Sequence, residues 1–257
     1  MGTPTEDARA LADRLLTARD LVFLGGAGVS TESGIPDYRS ARGLYHEDTG
    51  TFYSGAQLLS REFLEKRPDL HFSYYLGKLV HPEARPNPAH LALARLEELG
   101  LLTLVITQNI DGLHQQAGSR NVYEMHGSMW RNHCTVCGKP HELSHLLKDR
   151  EAVPRCLDCG GLVRPDTVLY GEALEKDPLK AAVRTVRNCD MLLVGGTSLA
   201  VNPARGLVKY FRGSHLVFMN RDETPLDRRA GLLIRHPLGE VLPLAVELFE
   251  KERKSVS

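Results

Sequence analysis

The sequence predicts an α/β fold in which a parallel sheet carries helices on both faces, with a smaller metal-stapled module set into it. Two observations carry this reading. Apolar runs such as LVFL, LLTLVIT, MLLVGG and HLVFMN recur along the chain with helical stretches between them, the order of a buried parallel sheet. Four of the five cysteines form two C-x-x-C pairs, the spacing of a tetrahedral metal site. At 257 residues the chain is long enough for one large domain with a satellite.

Composition narrows the function classes. Hydrophobic residues at 42% and charged residues at 25% are those of a globular protein, not of a disordered or fibrous one. Lys+Arg and Asp+Glu number 32 each, which leaves no net charge to attract nucleic acid or an anionic membrane, so neither partner is expected. No apolar run nears the ~20 residues that a membrane helix needs. The segment MGTPTEDARALADRLL carries acids and lacks the basic-then-apolar layout of a secretory signal, so it reads as an amphipathic helix and a cytoplasmic location is expected. Glu6 stands where a myristoylation signal wants Ser or Thr. A monomer is expected.

Taken in order, the first element after that helix is a buried strand, Leu21 to Leu24, running into Gly25-Gly26-Ala27-Gly28. Glycines at a strand end let backbone N–H groups approach a pyrophosphate. The segment continues Val29-Ser30-Thr31, then Glu32-Ser33-Gly34-Ile35-Pro36-Asp37-Tyr38-Arg39. Thr31 occupies the place of the third glycine in the dinucleotide fingerprint, which disfavours a hydride-transfer enzyme, although Glu47 and Asp48 lie at about the right distance downstream. Residues 40–86 read as a helical insertion, followed by a helix from Pro88 to Leu99.

The strand LLTLVIT ends at Thr107 and delivers Gln108, Asn109 and Asp111, polar groups that are costly to bury unless they meet a ligand or one another. A loop that merely caps the next helix is the competing reading for Asn109 or Asp111 singly. Then comes Glu124-Met125-His126-Gly127-Ser128. Among eleven histidines, His126 is singled out by the glycine after it and by its place at a module boundary, where an imidazole that titrates near neutrality can act as a general base.

Residues 131–164 hold Cys134-x-x-Cys137 and Cys156-x-x-Cys159, with eighteen residues between the pairs. Gly138, Gly160 and Gly161 allow the backbone to turn tightly beside each pair. Four thiolates on one zinc ion leave no open position, so the metal is read as structural. Disulfide or redox pairs are the competing reading, disfavoured in a reducing compartment. The segment is poor in core residues and is expected to need its metal to fold. Cys189 reads as a small buried residue before a strand. A helix from Pro178 to Arg187, the strands ending at Gly196 and Asn220, and a solvated tail, KERKSVS, complete the chain.

GAGVSTESGIPDYRS, PNPAH, TQNIDGLH, YEMHGS, the two cysteine pairs, RPDTVLYGE, VGGTSL and the MN of Asn220 stand together in one order over about Ala18 to Leu248. In this the chain resembles the sirtuins, NAD-dependent protein lysine deacylases. The resemblance implies a Rossmann-like domain made of residues 1–39, 87–130 and 165–257, with a small domain that joins the helical insertion 40–86 to a zinc-ribbon module, 131–164. It implies NAD as co-substrate, acylated lysine in proteins or peptides as partner, and one structural zinc ion. Acyl-lysine and NAD would give lysine, nicotinamide and O-acyl-ADP-ribose. Protein mono-ADP-ribosyl transfer and an NAD-sensing zinc-ribbon module are the alternative functions.

The resemblance also assigns residues. Gly26, Ala27 and Gly28 would hold the NAD phosphates, with Thr31, Tyr38 and Arg39 on the cofactor loop. Ala27, Ile35, Asp37, Ile110 and Asp111 would line the nicotinamide pocket. Gln108 and Asn109 would contact the nicotinamide ribose or a water, Asn109 with a catalytic role, and His126 would act as general base on a ribose hydroxyl. Gly196, Thr197, Ser198 and Asn220 would bind the adenosine half, and Leu238 the adenine. Val168 and Tyr170 would sheath the acyl-lysine stem, with Gly171 and Glu172 pairing with the substrate backbone. This chain departs from many sirtuins in having Gly25 in place of Thr, and Tyr38 and Tyr170 in place of Phe. A branch that removes acidic acyl groups carries Tyr-x-x-Arg in the insertion. Aligning Ser73 and Leu76 with those positions predicts a preference for neutral acyl groups, acetyl first, while Tyr75-x-x-Lys78 would match in a register two residues away.

Overall fold

The computed structural model describes residues 2–38, 43–44, 48–150, 152–200 and 202–256. Its first strand, β1 (Leu21–Gly25), is buried along its whole length. Side chains alternate across a strand, and here the two sets enter different cores: Leu21 and Phe23 pack on one face of the sheet, Val22 and Leu24 on the other. The first core is closed by helices Pro4–Thr17, Pro88–Glu98 and Leu238–Val256 through Leu11, Leu15, Leu93 and Val241. The second is closed by Lys176–Asn188 and Ala204–Tyr210 through Ala182, Val186 and Leu207. Burial on both faces is why the strands read as unbroken apolar runs.

In chain order the strands after β1 are β2 (Leu102–Thr107), β3 (Val122–Glu124), β4 (Gly127–Cys134), β5 (Pro140–His141), β6 (Val163–Thr167), β7 (Met191–Gly195), β8 (His215–Met219) and β9 (Leu232–Ile234). Six make one sheet in the order β3-β2-β1-β7-β8-β9, with every pairing parallel. With the three module strands left out, this is the doubly wound order 3-2-1-4-5-6, which places a ligand crevice where the order reverses, between β1 and β7. The other three form an antiparallel sheet, β5-β4-β6.

The antiparallel sheet does not stand on its metal alone. Met129 and Val163 of this sheet, with Leu143 and Leu146 of the short helix after β5, share a core with Phe72, Tyr75 and Leu76 of helix Pro68–Lys78, so the two insertions are packed as one body. Backbone bonds reinforce this: Tyr170 N–H donates to Leu59 O at 3.1 Å and Arg61 N–H to Tyr170 O at 2.9 Å.

Two expectations are corrected. The tail is the end of helix Leu238–Val256, where Arg253 donates to Leu99 O at 3.1 Å and lies over the Phe249 ring. In helix Pro68–Lys78, Ser73 faces solvent and Leu76 belongs to the core, so neither can meet an acyl group. Among the described residues no helix is long and apolar enough to cross a membrane.

The fold also buries imidazoles. His90 and His114 meet edge to face with ring centroids 4.8 Å apart, next to Phe23. Among the described residues, His90 Nε2 and both ring nitrogens of His114 have no hydrogen-bond partner. Burial pulls His90 down to about 4 and His114 to about 3 from the ordinary 6.5, and it pulls His71 to about 4. Between these values and pH 6.5 the unfolded chain binds more protons than the folded one. The stability they contribute is therefore complete above pH 6.5 and lost on acidification. The urea midpoint should fall from pH 7 to pH 5, and His114→Leu should show a smaller fall. An equal fall in the variant would assign the acid sensitivity elsewhere.

Candidate active site

A cleft of about 610 Å³ opens where the sheet order reverses, at the C-terminal ends of β1 and β7. Its floor is made of backbone. Gly28 N–H donates to Gly196 O at 2.8 Å and Gly26 N–H to Gly195 O at 3.3 Å. A Cβ on Gly28 would stand 2.7 Å from Gly196 Cα, and Gly196 has φ +59, so this approach admits no side chain at either place.

The polar loop after β2 is held by what surrounds it. Gln108 Nε2 donates to Gly25 O at 3.1 Å and to Thr197 Oγ1 at 2.9 Å, spanning the switch point. Asn109 Nδ2 donates to Ser30 Oγ at 2.9 Å, and Ser30 donates onward to Asp111 Oδ2 at 2.7 Å. With its amide nitrogen engaged, Asn109 has its carbonyl oxygen to offer a ligand. Burial raises the Asp111 pKa, against the lowering effect of bonds from Leu113 N–H and Ser30. Asp111 O accepts from Trp130 Nε1 at 2.7 Å.

His126 follows β3 and precedes β4. Its Nδ1 lies 2.9 Å from Gln108 O. A carbonyl can only accept, so Nδ1 carries the hydrogen and Nε2 carries the lone pair. Gly127, at φ +76, is required by crowding: a Cβ there would be 1.6 Å from Asp166 O on β6. The glycine after the histidine thus lets β4 and β6 cross, and Val168 N–H, donating to His126 O at 3.0 Å, joins the two lips of the cleft.

Beyond β7, Thr197 N–H donates to Asn220 Oδ1 at 2.8 Å, while Asn220 Nδ2 is buried with no partner among the described residues. Leu238 lines the cleft and leaves no room for a Cβ on Gly195, which would lie 2.5 Å from Leu238 Cδ2. On the module side, Glu172 is clamped by Arg164 at 2.6 and 3.0 Å and accepts from Leu169 N–H at 2.8 Å. Burial raises its pKa, but these bonds outweigh burial and hold it below its ordinary value. Tyr75 and Leu79 are the residues of helix Pro68–Lys78 and its C-cap that reach the cleft.

Most of the anticipated residues meet here. Gly26, Ala27, Gly28, Thr31, Asp37 and Tyr38 line one side, with Gln108, Asn109, Ile110 and His126 at the centre. Gly196, Thr197, Ser198, Asn220 and Leu238 line the far side, with Val168, Tyr170, Gly171 and Glu172 on the module side. Asp111 lies beneath the wall, and Ile35 borders a second, more open depression with His81 and Arg85. Arg39 and Glu47 lie outside the described residues. Sequence reasoning missed Ser30, Glu32 and Thr167. Ser30 carried a signal, since a hydroxyl inside a buried glycine-rich turn needs a partner.

The four cysteine sulfurs lie within 4.8 Å of one another, with Cys134 and Cys159 at 3.5 Å and Cys137 and Cys156 at 3.8 Å. A tetrahedron with Zn–S of ~2.3 Å has its sulfurs about 3.8 Å apart, so the cysteines are positioned for one structural zinc ion. The turns are those anticipated: Gly138 N–H donates to Cys134 O and Gly160 N–H to Cys156 O, both glycines left-handed. Backbone N–H groups of Cys137 and Val136 pull the Cys134 thiol down to about 6, and those of Asp158 and Cys159 lower Cys156, which favours thiolates at these two, while at Cys159 the N–H of Gly161 is outweighed by the neighbouring thiols, which push it up to about 12.

Comparison with known proteins gives one answer. The Sir2 family profile matches residues 26–203. The chain is 46% identical over 238 residues to an NAD-dependent protein deacetylase of Clostridium perfringens, covering 92% of this chain and 97% of that one. It is 51% identical to one from Cutibacterium acnes, covering 90% and 94%. A Sir2 homologue in complex with NAD superposes with a TM-score of 0.83 at 38% identity, covering 96% and 94%. A Sir2 variant with a deacetylated peptide and 3′-O-acetyl ADP ribose superposes at 0.86 and 35% identity, covering 94% and 98%.

The metal site yields a direct test. Cys134→Ser or Cys156→Ser should lower the zinc content of purified protein from one ion per chain, reduce the thermal midpoint and abolish turnover together. Active protein without zinc would refute the structural role.

Proposed function

The chain belongs to the Sir2 family, and on that premise we propose how its own residues perform the reaction. It is an NAD-dependent protein deacetylase, with NAD as co-substrate and acylated lysine as the group acted on. The residues present suit a dinucleotide. Asn220 Nδ2 is a buried donor in want of an acceptor, and Gly26, Gly28 and Gly196 form a cradle of bare backbone. When bound, NAD supplies a glycosidic bond whose cleavage releases nicotinamide and lets the acyl group pass to the ribose. The four-cysteine zinc stays outside this chemistry.

His126 takes the proton from a ribose hydroxyl at Nε2. The observation that carries this role is the Nδ1 contact with Gln108 O, which fixes the tautomer and stabilises the imidazolium that forms. Asn109 presents its carbonyl oxygen beside the histidine, held there by Ser30 and, through it, by Asp111. Gly196, Thr197, Ser198, Asn220 and Leu238 take the adenosine half. Val168 and Tyr170 sheath the lysine stem and exclude water. Glu172 acts through its clamp on Arg164, which shapes the loop, while Gly171 and its neighbours offer backbone to a peptide strand. The shared core of the insertions and the separate cores of the large sheet support a division into a large and a small domain, but β4 and β6 carry the small one back to Gly127 and on to Thr167, across the expected bounds at 130/131 and 164/165. A cytoplasmic location is supported by five unpaired cysteines, four of them needed reduced for the metal.

His126→Ala should lower deacetylation of an acetyl-peptide at least ~100-fold. Turnover within a few-fold of the parent would remove His126 from the role of base.

Acyl preference follows from the wall. Tyr75 and Leu79 stand where Ser73 and Leu76 were expected, and Lys78 is not part of the lining. Arg164 is committed to Glu172, and among the described residues lining the cleft Arg221, next to Asn220, is the only Lys or Arg. A succinyl carboxylate would be buried without a cation, at a cost on the order of several kcal/mol. Acetyl and butyryl forms of one peptide should therefore exceed the succinyl form by orders of magnitude in kcat/KM. Equal rates would show that a cation reaches the acyl end.

A further inference from the structure

The cofactor loop after β1 is fastened by a contact that the reaction scheme does not use. Thr31–Ser33 forms one 3-10 turn, with the Thr31 hydroxyl donating to Gly28 O at 3.0 Å. From this turn Glu32 reaches the start of helix Leu238–Val256, where Gly239 N–H donates to its Oε1 at 3.1 Å. N–H groups in the first turn of a helix have no partner within it, and the dipole of a 19-residue helix favours an anion there. The fit is close, because a Cβ on Gly239 would lie 2.2 Å from Glu32 Oε2. Both ends of the contact border the cleft: Thr31 and Glu32 on one wall, Pro237 and Leu238 on the other.

We propose that Glu32 is a positioning residue for the dinucleotide, its carboxylate latching the cofactor loop to the helix that carries Leu238 and so fixing the width of the adenine end of the cleft. The inference rests on placing the adenosine half among Gly196, Asn220 and Leu238. Glu32 acts through the two walls it joins. Breaking the latch lets Thr31 and Leu238 move apart, which weakens the hold on the dinucleotide before the chemical step and leaves the acyl-lysine side, on the opposite rim, as it was.

The latch can be broken from either end. Glu32→Ala removes the carboxylate, and Gly239→Ala evicts it by occupying its place. In steady-state assays with an acetyl-peptide, each should raise KM for NAD roughly fivefold, the scale of one charge-assisted bond at a helix terminus, with kcat at saturating NAD and KM for the peptide held. The double variant should be no worse than either single one, since the clash at residue 239 vanishes with the carboxylate and the same contact is lost once. Glu32→Gln, which keeps a carbonyl acceptor, should recover most of the affinity. A merely destabilising change would lower kcat through the active fraction and would not single out NAD. The latch is overturned if both single variants leave KM for NAD within about twofold, or if their effects multiply in the double variant. Asn220→Ala separates this from the underlying placement. If it raises KM for NAD while the latch variants do not, the latch alone fails; if it leaves KM unchanged, the adenosine assignment fails.

Discussion

Everything in the site depends on the approach of two glycines. Gly28 and Gly196 bring the loops after β1 and β7 to a single backbone hydrogen bond of 2.8 Å, too close for any side chain. A parallel sheet whose order reverses must part its connections at that point, because helices leave on opposite faces. The glycines keep the parted loops joined at their base while the walls diverge above. The cleft is thus a product of topology, and the bare backbone is the part of it that can meet phosphate without a side chain in the way.

Upon that base one residue ties the halves together. Gln108 uses its side chain to bridge Gly25 and Thr197 and its carbonyl to hold His126. The carbonyl that sets the His126 tautomer is therefore anchored to the loops after β1 and β7 that form the base of the cleft. Ser30 does the same on the other flank, passing one hydroxyl between Asn109 and Asp111. Such bonds cost little reorganisation at the moment of reaction, since backbone and buried neighbours have already fixed them.

The sheet and metal were legible in the sequence because both are written locally. Burial on two faces forces unbroken apolar runs, and a C-x-x-C knuckle needs only its own four residues and a glycine to turn. Gln108 and Asn109 were readable for a related reason, since polar residues at a strand end are conspicuous where the strand is apolar, and His126 was readable from the glycine after it and its place at a module boundary. What the sequence hid depends on distant packing. Which face of helix Pro68–Lys78 looks into the cleft is decided by its core partners Leu143, Leu146 and Val163, far along the chain, so Tyr75 and Leu79 displaced Ser73 and Leu76. The end of the chain read as a tail because its charges are exposed, yet Arg253 finds the Leu99 carbonyl across the fold. Asp111 was recognised as polar and costly, but only the structure places it under the wall, where it supports Asn109 through Ser30.

The same long-range packing explains why a metal remote from the chemistry matters to it. β4 and β6 are paired from Cys134 with Val163 at one end to Gly127 with Thr167 at the other. The zinc ligands sit at the first end, and His126 and Val168 adjoin the second. Between them the register shifts over Met129, Trp130 and Arg131, and that irregularity sends Met129 into the shared core and brings the Trp130 indole to Asp111 O. A ladder this short has few bonds of its own to hold its alignment, and β5 adds just two residue pairs. Fixing the four thiolates pins one end of the ladder, and the shared core pins its middle. The far end then holds His126 O against Val168 N–H, which keeps the proposed base and the proposed lysine sheath in one frame. Loosening the metal end frees the ladder to slip, and the first groups to lose their relation are His126 and Val168 at its far end.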